Sequence, residues 1–120
     1  MKRFEIWEAN LPDAAGSHVQ HGRRHPWVIV SNDAANTHSP LVTIVPLCSH
    51  LRKKRLPTHV PAHAPALTKE SFAVCEQIIT LDKSNMIAAI GCIQDSSERA
   101  QLERALAIQL GMAEAEKEVL

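Results

Sequence analysis

Four consecutive apolar residues, Trp27-Val28-Ile29-Val30, stand between Pro26 and the polar triplet Ser31-Asn32-Asp33. The run is short and rich in β-branched side chains, which predicts a buried strand rather than a helix. Gly16 to His25, which feeds it, carries two Gly, three His and two Arg and reads as a loop. A cationic loop that enters a rigid strand is a common place for small folds to present chemistry.

Similar runs recur on both sides. Phe4 to Ala9 roughly alternates apolar and polar residues and predicts a first, half-buried strand. Ala34 to His38 predicts a helical turn before Ser39-Pro40, and Leu41 to Leu47 a third strand. Pro57 starts or edges a fourth strand through Val60. Phe72 to Ile79 predicts a fifth, with Leu81 packed beneath it, and Ile87 to Ile93 a last one. Asp95 precedes Glu98 by three residues, the spacing of a capping box that opens a helix. Leu102, Ala105, Leu106, Gln109 and Leu110 then share one face, broad enough to meet the core or a second subunit, and Gly111 is placed as a C-cap. Residues 112–120 extend this helix or fray. Together these elements predict a mainly β domain with a C-terminal α-helix, barrel-like and spanning residues 1–120 as one unit.

The bulk composition narrows the class. At 45% hydrophobic residues the chain can fill one core, but aromatics are only 3%, so Val, Ile, Leu and Ala must fill it. No run reaches the roughly 18 apolar residues of a membrane span, and MKRFEIWEAN is too polar for a signal peptide. The odd cysteine count (Cys48, Cys75, Cys92) reads as reduced thiols in a cytoplasmic protein. Net charge is zero, yet through Pro65 eight Lys/Arg and all seven His stand against four acids. Such a split leaves room for a local phosphate-binding groove.

Gly16-Ser17, Gly22, Pro26, Ser31-Asn32-Asp33, Ser39-Pro40, Val45-Pro46, Leu56-Pro57-Thr58-His59-Val60, Glu76-Gln77-Ile78, Thr80, Asp82-Lys83 and Ala105 to Gly111 form an ordered series along nearly the whole chain. In this series the sequence resembles the PemK/MazF toxins. The resemblance implies an SH3-like small β-barrel that forms a homodimer. It implies a sequence-specific, ribosome-independent endoribonuclease of a toxin–antitoxin system, acting on single-stranded RNA or mRNA without metal. The products would be 2′,3′-cyclic phosphate and 5′-OH ends, and the partner an antitoxin whose disordered segment folds into the dimer groove.

The same frame selects site residues. The family arginine that precedes the strand proline falls on His25, or on Arg24 if counted from Gly22, and the family threonine falls on Cys48. Arg24, His25 and Cys48 are therefore the catalytic candidates: a phosphate clamp, a proton carrier and a weak donor in place of a hydroxyl. Ser17, Gln20, Arg23, Ser49, Arg52, Lys53 and Gln77 are the RNA-binding candidates. On the residues alone, Arg23-Arg24-His25 and Arg52 to Arg55 are equally solvated basic turns, Cys48 a small buried residue, and the C-terminal stripe a core face. Trp27 and Trp7 are the main platforms for base stacking. Cys48-x-His50 and His18-x-x-His21 lie within ligand reach on paper, but no CxxC or HExxH pattern occurs, and neither metal nor cofactor is expected. Two other readings remain open: a catalytically weakened module that binds antitoxin or RNA, and a gyrase-directed toxin on the same barrel.

Overall fold

A computed structural model describes residues 1–11, 22–49 and 55–115, with backbone alone at 22 and 23. In chain order the elements are β1 (Glu5–Leu11), β2 (Gly22–Ile29), α1 (Asp33–His38), β3 (Leu41–Cys48), β4 (His59–Ala62), β5 (Ser71–Val74), β6 (Ile79–Asp82), β7 (Met86–Cys92) and α2 (Ser96–Gln109). The strands form one sheet in the order β4-β5-β3-β2-β1-β7, with β6 also on β3, and every pairing is antiparallel.

Strand β3 is the hinge of this arrangement. One edge pairs with β2; the other is divided between β6, opposite Leu41 to Ile44, and β5, opposite Leu47 and Cys48. The single strand expected over Phe72 to Ile79 is therefore two. A 3₁₀ turn at Cys75–Gln77 separates them. Leu47 opposes Ala73, so an unbroken register would set Thr43 against Gln77; it meets Thr80 instead, three residues further on. The three-residue turn absorbs that slip, and the Thr43 and Thr80 hydroxyls meet at 2.7 Å. Leu81 consequently belongs to β6 itself.

The Trp27 run is buried on both faces, which explains its unbroken hydrophobicity. Val28 and Val45 join one cluster with Ile6, Leu47, Val60, Ala73 and Leu102. Trp27, Ile29, Val42 and Ile44 join another with Ala9 and Leu11. The outer strands β4 and β7 do not pair among the described residues. They still approach one another: a Cβ on Gly91 of β7 would lie 3.7 Å from the Cβ of Ala64, just beyond β4. The sheet thus curls into an incomplete barrel, and α2 closes the open side with Leu102, Ala105 and Leu106.

Both ends of α2 follow the sequence signals. The Asp95 carboxylate accepts from the Glu98 N–H at 2.9 Å. The reciprocal arm of the box is diverted, because the Glu98 side chain accepts from the His63 backbone N–H at 3.0 Å and also bonds its ring. At the other end Gly111 has φ +75, its N–H bonds to Ile108 O and the Met112 N–H to Ala107 O. This pair of bonds is a Schellman cap, and it ends the helix before residues 112–115. The apolar stripe is narrower than expected, since Gln109 and Leu110 are exposed.

Candidate functional site

Strand β2 starts earlier than the apolar run suggests, at Gly22, so the cationic stretch Arg23-Arg24-His25 is strand rather than loop. It carries a bulge: Ala9 opposes His25 but Leu11 opposes Gly22, so Arg23 and Arg24 together face Asn10. Arg24 takes the left-handed backbone conformation, φ +57, that the extra residue demands. Such strain in a non-glycine residue gathers at functional sites. The bulge aims Arg24 outward, where its guanidinium pairs with Glu8 at 2.9 Å with 60% of the side chain exposed.

His25 is aimed inward. Its ring meets Trp27 edge-on, 6.1 Å between centroids. Burial pushes its pKa below the ordinary value, and the Leu47 backbone offsets this only in part. Nε2 is buried and has no hydrogen-bond partner among the described residues, and the same holds for the neighbouring Trp27 Nε1. A neutral imidazole with an unengaged nitrogen has the protonation state that a general base needs. Trp27 itself is fully buried and offers no face for base stacking.

Cys48 shares this side of the sheet. Two residues outward from the Trp27–Pro46 pair on each strand, His25 and Cys48 fall on one face by alternation. The Cys48 thiol is half-buried, and burial together with the Glu76 charge pushes its pKa up to about 11. It stays protonated at neutral pH and can donate weakly, as a hydroxyl would, but is no thiolate nucleophile.

Next to Cys48 lies a polar network of Thr58, His59 and Glu76, motif positions to which sequence reasoning gave no role. Glu76 accepts from Thr58 Oγ1 and bonds His59 Nε2, both at 2.7 Å. Burial alone would raise the Glu76 pKa; those two hydrogen bonds outweigh it and hold the carboxylate below its ordinary value. His59 Nδ1 accepts from the Leu56 N–H at 3.1 Å, so its proton sits on Nε2, toward Glu76. The network fastens the start of β4 to the turn after β5. Beside it, Arg55 stacks on Phe72 at 5.0 Å.

A cleft of about 260 Å³ opens at the end of the sheet, bordered by His25, Pro26, Leu47 and Ser49 and, across it, by Thr68, Lys69 and Ser71. Of the RNA-binding candidates, Ser49 lies here and Gln77 lies in the 3₁₀ turn between β5 and β6. Ser17, Gln20, Arg52 and Lys53 lie outside the described residues, as does the side chain of Arg23. Lys69 and Thr68 escaped sequence reasoning because they come from an irregular stretch far from the motif. Cys48, Cys75 and Cys92 are free thiols. Among the described residues no three His, Cys, Asp or Glu side chains cluster as metal ligands, and no helix is long and apolar enough to cross a membrane.

This architecture and this strand-end site define a small, mainly β fold with a C-terminal helix. In fold, 93% of the chain matches the crystal structure of a MazF from Deinococcus radiodurans, with 22% identity, 97% of that chain covered and a TM-score of 0.75. A mycobacterial structure, described as an endoribonuclease in complex with its cognate antitoxin, gives 0.73 at 24% identity, covering 96% of this chain and 99% of that one. In sequence, the chain is 32% identical over 114 residues to an endoribonuclease MazF of Staphylococcus saprophyticus, covering 93% of this chain and 92% of that protein. Residues 2–110 match the family of PemK-like, MazF-like toxins of type II toxin–antitoxin systems, and the chain belongs to that family.

Proposed function

We propose that the protein is an endoribonuclease toxin that cuts single-stranded RNA, mRNA included, at a preferred sequence and without a metal ion. The observation that carries this reading is His25: burial keeps it neutral, and its Nε2 is committed to no other group among the described residues. In the reaction His25 takes the proton of a ribose 2′-OH. The O2′–P bond forms as the P–O5′ bond breaks, leaving a 2′,3′-cyclic phosphate and, once the departing oxygen is protonated, a 5′-OH. Because Nε2 is closed off from solvent, RNA entry must first uncover the ring. Cys48 serves as a neutral donor on the same face, and Arg24 as a rim cation that exchanges Glu8 for phosphate. Kinship with the mycobacterial complex supports a cognate antitoxin as partner, and the family supports a homodimer working in the cytoplasm.

Cleavage of a mixed RNA pool in excess chelator tests the mechanism. Cuts should persist undiminished and carry cyclic phosphate ends. Loss of cutting with chelator, restored by a divalent ion, would sink the metal-free route. A second reading, a binding module with weakened catalysis, draws on the same buried Nε2 and on the Arg24–Glu8 pair. Antitoxin binding with no cuts at any RNA concentration would favour it.

A further inference from the structure

We propose that Lys69, with the hydroxyls of Ser49 and Thr68, forms a phosphate subsite that holds the RNA backbone in the cleft beside His25. The inference rests on the endoribonuclease reading and places a positive charge on the border of the cleft itself. Arg24, the cation nearest His25 in sequence, is engaged by Glu8 at 2.9 Å and is not among the residues bordering the cleft. Lys69 borders it, is exposed, and forms no ion pair among the described residues. Its backbone is fixed from below, because the buried Ser71 hydroxyl donates to the Lys69 carbonyl at 3.0 Å. That bond uses the Ser71 proton, so the donors left for a ligand are the Lys69 ammonium and the exposed Ser49 and Thr68 hydroxyls.

One ammonium and two hydroxyls around a cleft of about 260 Å³ suit a singly charged phosphodiester. Lys69 also borders a neighbouring cleft that contains His63 and Asp95. The Asp95 carboxylate is occupied there in capping α2, and His63 is bonded to Glu98. Neither competes for the ammonium with a hydrogen bond. A phosphate seated against Lys69 lies on the wall facing His25, so the cation would steady the chain next to the nucleotide whose 2′-OH is deprotonated. Lys69 is thus a binding and charge-stabilising residue, while His25 moves the proton.

The test uses mixed-sequence RNA methylated at every 2′-OH, which can bind but cannot be cut. Fluorescence anisotropy over a salt series gives affinity and its salt slope. Lys69→Met should lower the magnitude of the log–log slope by about 0.7, the share of one single-strand phosphate contact. Lys69→Arg should retain it, and Thr68→Val should weaken binding with the slope kept. Cleavage of unmodified RNA should fall roughly 10²-fold in Lys69→Met. His25→Ala, which removes a neutral ring, should keep the wild-type salt slope on the methylated RNA. A slope unchanged in Lys69→Met, in protein that melts like the wild type, overturns the subsite and leaves the catalytic reading standing. Normal cutting by His25→Ala would overturn the catalytic assignment, while the binding result would still decide Lys69.

Discussion

Replacing His25 by alanine is expected to lower the RNA cleavage rate roughly 10²–10⁴-fold, the usual worth of a general base. The pH dependence should identify the group. A base works deprotonated, so activity is lost as pH falls through the folded-state pKa. Burial depresses that pKa, so the acid limb of kcat/KM should lie below the ordinary histidine value near 6.5 rather than at neutrality. Stability runs the same way. Between the depressed folded pKa and the unfolded value, the unfolded chain binds the additional proton, so stability rises with pH and is lost on acidification through that window. Urea titrations across it should show this slope in the wild type and not in His25→Ala. His25→Arg sets here the arginine that the resemblance implies; it should keep activity and flatten the acid limb, because arginine does not titrate there. Cleavage by His25→Ala at the wild-type rate would transfer the role to Arg24, which the Glu8 pair makes a poorer candidate.

The largest stability effect is expected at Trp27. Its side chain is fully buried between β1, β3 and His25, and truncation to alanine leaves a hole that rigid strands cannot fill. Trp27→Ala should cost about 3–5 kcal/mol, a large share of the roughly 5–15 kcal/mol that holds a domain folded. Trp27→Phe should cost much less. It loses part of the ring but also removes an indole N–H that is buried without an acceptor among the described residues, a defect worth about 1–3 kcal/mol. Chemical denaturation of the three proteins gives the comparison. A Trp27→Ala midpoint close to that of the wild type would mean the pocket collapses, contrary to the packing described.

Much of this fold could be read from local chemistry. The Trp27 run, the Leu41 strand and both caps of α2 carry signals that act within a few residues, and each formed where expected. What escaped depended on partners distant in sequence. Phe72 to Ile79 reads as one apolar strand; only the two different registers along β3 force the 3₁₀ turn at Cys75–Gln77. Arg23-Arg24-His25 is too polar to look like strand, yet β1 supplies the ladder and a bulge at Arg24 accommodates the extra residue. The site divides in the same manner. The family frame singles out His25 and Cys48, which the strands set on one face, whereas nothing next to Arg24 in sequence announces Glu8, and nothing near the motif announces Lys69.

The position of β1 has a consequence for the protein as it is being made. It is synthesised before β2, with which it pairs on one edge, and its other edge waits for β7 at Met86–Cys92. Phe4 deepens that dependence: its carbonyl accepts from Ile93, and its ring is stacked between Arg3 at 4.8 Å and Arg99 of α2 at 4.7 Å. At about 5–20 residues per second, a nascent chain spends several seconds with one edge of β1 bare. The segment holding β7 and α2 must then clear the ribosome tunnel before the sheet can close. A chain broken off before Met86 therefore carries the His25 strand but leaves that edge of β1 without its partner.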